Sequence, residues 1–269
     1  MSEKNRDLIP FSLDPERVHQ QYLDDIARNV GFFVENPYLK LGDSDSGHGV
    51  MFGKLSPYGE VSIKPHETFG RAQHEVEVIN HAREKGLDTI DPLYIAAGGL
   101  RVYMISSYYR GLRNLGQLNW REDVASRRLH KVLTPTLHFA ANFAGEIHEK
   151  GITHGDFQVK NVALTTEGSP VFVDVENGQI RLKGQELVRK GDRDLVRMSY
   201  SVLRRGLLHD RSMKYKLGYL GDEFVDPALE AEKTPTSIMK DRRTEVLDRI
   251  AYMLLHQAKS KHPAGKKVA

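Results

Sequence analysis

Three oxygen-bearing side chains in the second half of the chain have a spacing that is typical of a catalytic site. Asp156 and Asn161 lie five residues apart, and Asp174 follows a short apolar run 13 residues after Asn161. Transfer of a phosphoryl group requires a carboxylate that orients and deprotonates a hydroxyl, together with oxygen ligands that hold Mg²⁺ against nucleotide phosphates. These three residues could supply both. A Gly-Asp turn such as Gly155-Asp156 is also common where a helix meets a strand, so the surrounding sequence has to be considered.

The composition narrows the class of protein. The chain has 269 residues, of which 39% are hydrophobic and 28% charged, as in an ordinary globular protein large enough for two lobes. It contains no cysteine, which excludes disulfides and thiolate chemistry. Residues 1–7 lack the apolar core of a signal peptide, and the sequence has no apolar run of the roughly 18 residues that a membrane span needs. We therefore expect a cytoplasmic protein. The net charge of +3 gives no clear sign of a nucleic-acid partner, and nothing in the sequence indicates an oligomeric state.

Before Asp156 the sequence pattern predicts a small lobe that is mostly β. Alternating apolar residues and turn signals indicate strands, a helix ended by Gly86, and a hairpin at Gly98-Gly99. In chain order, the predicted elements are strands at 38–41, 50–55 and 61–64, a helix over 71–85, and strands at 93–97 and 100–106. An amphipathic helix over 14–28 precedes this lobe.

The rest of the chain is predicted to be mostly helical. The predicted helices span 121–131, 134–150, 194–205 and 236–258, the second beginning at Thr134-Pro135 and the last burying Ile238. Asp194, at the start of the third, is expected to accept hydrogen bonds from backbone N–H groups near Asp156. We divide the chain into an N-terminal extension, an N-lobe, a C-lobe and a basic flexible tail, at residues 1–35, 36–107, 108–258 and 259–269.

The Asp-x-x-x-x-Asn spacing followed by a second Asp resembles the catalytic core of the protein-kinase-like superfamily. The form His-Gly-Asp-Phe at 154–157 is closer to RIO kinases, lipopolysaccharide kinases and aminoglycoside and choline phosphotransferases than to ordinary protein kinases. Only 20 residues separate Asp174 from Asp194, and they lack the Ala-Pro-Glu of a peptide-docking segment, so the chain resembles RIO and lipopolysaccharide kinases most. The resemblance implies an α+β, bilobal protein-kinase-like fold: a five-stranded antiparallel N-lobe with one helix, a mostly helical C-lobe and an extra N-terminal helix.

The resemblance also implies roles for residues of the C-lobe. Asp156 would orient and deprotonate an acceptor hydroxyl, while Asn161 and Asp174 would hold Mg²⁺. Gln158 occupies the position where many protein kinases have a lysine near the γ-phosphate of ATP. Lys160 could compensate for the neutrality of Gln158.

In the N-lobe the implied residues bind ATP. Lys64 would hold the α- and β-phosphates and would be positioned by Glu75, with Glu77 as the alternative partner. The further nucleotide contacts expected are Gly47 and Gly49 of the loop at 42–49, and Ser107 of the hinge at 106–111.

The leading interpretation is an ATP- and Mg²⁺-dependent phosphotransferase whose acceptor is a small molecule, a glycan or lipid sugar, or a protein hydroxyl. A nucleotide-binding pseudokinase that acts as a scaffold is an alternative, favoured by Gln158 and by the absence of Phe-Gly after Asp174. A RIO-like ATPase that acts as an assembly factor is a third. Glu176 adds another carboxylate after Asp174, as either a metal ligand or a structural acid.

Overall fold

The structure is a computed structural model, and it describes residues 51–55, 59–98, 101–107, 113–115, 129–165, 168–204, 208 and 211–260. The chain divides into two compact units, residues 1–111 and 112–269. Some predicted elements lie outside the described residues and stay predictions: the helix over 14–28, the strand at 38–41, the loop at 42–49 with Gly47 and Gly49, and most of the helix over 121–131.

Antiparallel strands form the sheet of the first unit. In chain order they are β1 (Met51–Leu55), β2 (Gly59–His66), β3 (Pro92–Gly98) and β4 (Arg101–Ser107), and they lie side by side in the order β1-β2-β4-β3. Strands β3 and β4 are antiparallel neighbours, as the predicted hairpin requires, and Gly98 belongs to β3, where it pairs with Arg101. The described sheet has four strands, so the predicted number of five is not confirmed. The missing strand is the one predicted at 38–41, outside the described residues.

Strand β2 is longer than predicted, since it continues past Lys64 to His66. Lys64 pairs with Met104 and His66 with Val102 in the neighbouring β4. Side chains alternate along a strand, so Lys64 and His66 lie on the same face of the sheet.

Helix α1 (Phe69–Glu84) packs against β2, β3 and β4. Thr68 caps its first turn by accepting a hydrogen bond from the N–H of Arg71 at 3.2 Å. Gly86, with φ +77°, ends the helix as predicted. The buried face of α1 contains Val76 and also the acidic Glu75.

The second unit is mostly helical and contains a small three-stranded sheet. Its helices are α2 (Leu129–Glu149), α3 (Gly184–Arg204), α4 (Met213–Leu220), α5 (Asp226–Ala231) and α6 (Thr236–Ser260), with a π-helical turn at Gly221–Val225 between α4 and α5. The strands β5 (Arg113–Asn114), β6 (Val162–Leu164) and β7 (Pro170–Phe172) lie in that order as antiparallel neighbours. Phe157 and Phe172 are among the largest fully buried side chains.

Three details of the helices differ from the predictions. Helix α2 begins at Leu129, and Pro135 lies inside it instead of at its first turn. Helix α3 begins at Gly184 instead of at residue 194, because its first turns are polar and mostly exposed and therefore show no apolar periodicity. Ile238, predicted to be buried, has 42% of its surface exposed. It lies in the first turn of α6, ahead of the buried Val246.

Over the described stretches of chain, none of the helices combines the length and the apolar character that crossing a bilayer requires.

Candidate active site

Lys64 and Glu75 form a two-point ion pair in the first unit. The Nζ of Lys64 donates to Glu75 Oε1 at 3.0 Å and to Oε2 at 2.9 Å. The glutamate side chain is fully buried, and the lysine side chain is 14% exposed. Burial by itself would raise the pKa of Glu75, but the charge of Lys64 and the neighbouring His66 lower it to about 2. Glu75 is therefore ionised at neutral pH and fixes the position of the lysine charge.

His66 was not predicted to take part in this pair. Its Nε2 lies 3.1 Å from Glu75 Oε2, and its side chain is fully buried. Because His66 follows Lys64 by two residues in β2, the period of the strand brings both side chains to the same carboxylate. The two-residue spacing of Lys64 and His66 in the sequence could have identified His66 as a second partner of Glu75.

In the second unit, several donors surround the carboxylate of Asp156. Gln158 Nε2 lies 2.5 Å from Asp156 Oδ1. Asn161 Nδ2 donates to Asp156 Oδ2 at 3.1 Å and to the backbone carbonyl of Asp156 at 2.8 Å. The guanidinium of Arg197 forms an ion pair with Oδ1, and 21% of the Asp156 side chain is exposed. The carboxylate is thus held in place and still accessible to a substrate hydroxyl.

Asp194 of α3 holds the backbone of residues 154–161, which we call the Asp156 loop. It accepts hydrogen bonds from the backbone N–H of His154 at 2.7 Å and of Gly155 at 3.0 Å. The predicted contact between Asp194 and this backbone is therefore confirmed. Asp194 is fully buried, so a carboxylate in the protein interior satisfies the two N–H groups.

Two further residues of α3 contact the same loop and were missed by sequence reasoning. Arg197 binds the carboxylate of Asp156. Ser201 accepts a hydrogen bond from the backbone N–H of Val159 at 3.2 Å. Residues three and seven positions after Asp194 lie on the same face of a helix as Asp194. This spacing was the signal that could have identified Arg197 and Ser201.

Gly155 occupies a position that only glycine accommodates. Its φ is +77°, in the left-handed region that residues with a Cβ rarely adopt. A Cβ at this position would lie 2.0 Å from the carbonyl oxygen of Asn177. The two segments come close because Thr153 and Gln179 form an antiparallel bridge with N···O distances of 2.9 and 3.0 Å. The Asp156 loop is thereby tied to the segment that follows Asp174.

His154 anchors the loop by packing. Its fully buried ring has centroid distances of 5.5 Å to Phe157 and 5.4 Å to Phe172. Among the residues described, neither ring nitrogen of His154 has a hydrogen-bond partner. His154 therefore shapes the loop through its packed ring.

Asn161 and Asp174 lie at the same end of the β6-β7 hairpin. Val162, directly after Asn161, pairs with Phe172, two residues before Asp174. The φ of Asp174 is +57°, a conformation that is uncommon outside glycine and concentrates at functional sites. The amide nitrogen of Asn161 donates to Asp156, so its amide oxygen is the atom that would bind a cation. An amide and a carboxylate oxygen suit Mg²⁺, and the residues present therefore fit the predicted ion.

A buried chain of charged groups contacts Asp194 in addition to the loop. His148 lies between two carboxylates, with Nε2 3.3 Å from Asp194 Oδ2 and Nδ1 2.5 Å from Glu232 Oε1. Arg242 donates to Glu232 Oε2 and to Asp192 Oδ1, each at 2.6 Å. Burial by itself would lower the pKa of His148, but its hydrogen bonds to Asp194 and Glu232 and their charges raise it to about 9. His148 is therefore a buried cation at neutral pH.

Ser107 and Lys160 are the other predicted nucleotide contacts that lie among the described residues. Ser107 ends β4, and its backbone N–H donates to the carbonyl of Asp91 at 2.8 Å. A nucleotide base would therefore bond to another backbone group of the hinge. Lys160 lies in the turn before Asn161, and Glu176 lies in the turn after Asp174, both partly buried.

Taken together, the fold and this loop define a protein-kinase-like phosphotransferase that acts on a hydroxyl group. Residues 63–219 match the family model of the lipopolysaccharide kinase (Kdo/WaaP) family, and the chain belongs to this family. The predicted resemblance to atypical kinases near the lipopolysaccharide kinases is confirmed.

One solved structure shows the same fold at low sequence identity. It is described as "WaaP in complex with acyl carrier protein", and it aligns with a TM-score of 0.53 and 17% identity over 82% of this chain and 88% of that chain. Among curated proteins, no relative matches this chain.

Replacement of Gly155 by alanine tests the geometry of the loop. We expect Gly155→Ala to lower the free energy of unfolding by about 2 kcal/mol or more, because a left-handed φ costs roughly 1–2 kcal/mol and the new methyl group would collide with Asn177. Urea denaturation measures the change. Gly218→Ala is the matched control, since a Cβ there meets nothing within 4 Å. Unchanged stability of Gly155→Ala would contradict the loop geometry.

The His148 network predicts a pH-dependent stability. The pKa of His148 rises from 6.5 to about 9 on folding, so its contribution is complete below about pH 6.5 and is lost as the pH rises through about 9. We expect the difference in unfolding free energy between wild type and His148→Gln to shrink between these pH values, by at most about 3–4 kcal/mol at ~1.4 kcal/mol per pKa unit. His138→Gln, at a half-exposed histidine of the same helix, is the control. A difference that stays constant with pH would refute the assignment.

Proposed function

We propose that this protein transfers the γ-phosphoryl group of ATP, with the help of Mg²⁺, to a hydroxyl group on a sugar of the lipopolysaccharide core. The observation that carries the proposal is the Asp156 carboxylate, held by Asn161 and partly exposed on a loop whose backbone is fixed by Asp194. Membership in the lipopolysaccharide kinase (Kdo/WaaP) family supports the class of acceptor. Because ATP is the donor, we place the reaction in the cytoplasm.

Asp156 acts on the acceptor hydroxyl. One carboxylate oxygen accepts the hydroxyl hydrogen and orients the hydroxyl oxygen toward the γ-phosphorus. As the new oxygen–phosphorus bond forms, the bond between the γ-phosphorus and the bridging oxygen of ATP breaks and its electron pair stays with ADP. The hydroxyl proton passes to Asp156. The phosphorylated sugar and ADP are the products.

Asn161 and Asp174 would hold the Mg²⁺ ion, which when bound neutralises charge on the phosphates. The support for this assignment is their place at one end of the β6-β7 hairpin, the oxygen ligands that they offer and the unusual φ of Asp174. The hydrogen bonds from Asn161 to Asp156 link the metal ligand to the base within one loop.

Lys64 would bind the α- and β-phosphates of ATP. Its ammonium carries a full charge that Glu75 positions through two hydrogen bonds. The low pKa of Glu75 supports this role, because an ionised partner keeps the lysine fixed over the whole physiological pH range.

Replacement of Asp156 tests the proposed base. We expect Asp156→Asn to lower kcat by about 10²–10⁴-fold, the usual contribution of proton transfer to a positioned side chain. The assay follows the label from [γ-³²P]ATP to lipopolysaccharide core oligosaccharide. Asp241→Asn, at an exposed acid of α6, is the control and should keep wild-type activity. Wild-type turnover in Asp156→Asn would refute the role of Asp156.

The same assay separates the alternatives. Thermal stabilisation by Mg²⁺ and ATP without phosphoryl transfer to the oligosaccharide would favour a scaffold. Hydrolysis of ATP that only a macromolecule stimulates would favour a RIO-like ATPase.

Replacement of Asp174 tests the metal site. We expect Asp174→Asn to raise the Mg²⁺ concentration that gives half-maximal activity by about tenfold or more, because a neutral amide replaces a charged ligand of a hard cation. A Mg²⁺ titration at saturating ATP measures the shift. Glu176→Gln provides the comparison, and a shift there but not in Asp174→Asn would assign the metal to Glu176 instead.

A further inference from the structure

Phosphoryl transfer needs positive charge beside the phosphoryl group, and the Asp156 loop lacks a lysine where protein kinases have one. Gln158 stands at that position and is neutral, and its Nε2 lies 2.5 Å from Asp156 Oδ1. Donors and cations aimed at charge that develops in the transition state are often the largest single contribution to catalysis. A kinase with a neutral residue at this position needs a cation from another residue near the phosphoryl group.

Arg197 places a guanidinium at the required point. From α3 it binds Oδ1 of Asp156, the same oxygen that Gln158 contacts. Its side chain is 47% exposed, whereas Asp156 is 21% exposed. Arg197 is thus more exposed than the carboxylate that it binds and is not part of the buried core.

The position of Arg197 is fixed by its helix. One turn before Arg197, Asp194 binds the backbone of the Asp156 loop. One turn after Arg197, Ser201 binds the backbone of the same loop. The helix is therefore held against the loop on both sides of Arg197. A cation that is already in place needs no reorganisation during the reaction, and this makes it more effective.

We propose that Arg197 is a catalytic residue that contacts the transferred phosphoryl group and supplies the positive charge that Gln158 does not. The inference rests on the proposed phosphotransferase function. A hydroxyl bound by Asp156 lies within about 3 Å of the carboxylate, so the phosphorus that it attacks comes within reach of a guanidinium bound to that carboxylate. A guanidinium has five N–H donors in a planar fork that suits phosphate oxygens, and one nitrogen can stay on Asp156 while others turn to the phosphoryl group.

Lys160 is the competing candidate for this charge. It lies in the same loop, between Gln158 and Asn161, and is partly buried. Within the described residues, the ion pair of Asp156 is made with Arg197 and not with Lys160. The position next to the reacting atoms therefore favours Arg197.

The test compares Arg197→Gln with Arg193→Gln, an exposed arginine of the same helix. We expect Arg197→Gln to lower kcat by about 10²–10³-fold, as removal of one transition-state donor does elsewhere, and to leave the KM for ATP within a few-fold of wild type. Affinity for ADP with aluminium fluoride, a mimic of the transferred phosphoryl group, should fall with kcat, while affinity for ADP alone stays unchanged. Arg193→Gln should match wild type in every measurement.

A second variant tests whether Arg197 supplies positive charge near the phosphoryl group or only holds Asp156 in position. In the Arg197→Gln background, Gln158→Lys restores a cation at the position that protein kinases use, and it should recover at least tenfold in kcat. Thermal unfolding of each variant monitors the fold. If Arg197→Gln fails to fold, Arg197→Lys replaces it, since lysine keeps the charge and loses the planar fork, and it should show an intermediate kcat.

Several outcomes would overturn the proposal. They are a kcat of Arg197→Gln within twofold of wild type, a kcat above wild type, and an unchanged affinity for ADP with aluminium fluoride. Asp156→Asn, measured in parallel, separates the two hypotheses. Activity lost in Asp156→Asn and kept in Arg197→Gln would refute only the role of Arg197, whereas activity kept in both would refute the proposed function.

Discussion

The second unit depends on how the protein satisfies two buried backbone N–H groups at the start of the Asp156 loop. A buried donor without a partner costs about 1–3 kcal/mol, and Asp194 supplies both acceptors from α3. A buried carboxylate must itself be compensated, and His148 lies beside it as a cation. This contact fixes the backbone at the start of the loop. The contacts from Gln158, Asn161 and Arg197 then orient the Asp156 carboxylate on that backbone.

The first unit uses the same physical principle. Glu75 is fully buried on α1, and its charge is compensated by Lys64 and His66 of the strand β2. Removal of one partner from such a group would leave an unpaired charge in the interior, which is far more costly than loss of a surface ion pair. In both units, therefore, a buried carboxylate fixes the position of a more accessible group: Lys64 in one and the Asp156 loop in the other.

Much of the candidate site could be predicted from local sequence. The spacing of Asp156, Asn161 and Asp174 is a property of one loop and one hairpin. The resemblance to kinases, applied to the predicted strand and helix of the small lobe, implied that Lys64 and Glu75 form a pair. Features without a local pattern were missed. The polar first half of α3 has no apolar periodicity. Ile238 is an apolar residue of the kind that fills cores, but it lies in an exposed turn.

The amino-acid sequence by itself determined the class of chemistry, since the residue types and their spacing within short segments are sufficient to specify a phosphotransferase loop. Only the tertiary structure decided which distant groups support that loop. His148 and Glu232 are 84 residues apart, and Arg197 and Asp156 are 41 apart. Contacts of this kind depend on how helices pack. Helical spacing places Arg197 on the same face as Asp194, but only the packing shows that Arg197 binds Asp156 and that His148 is a buried cation.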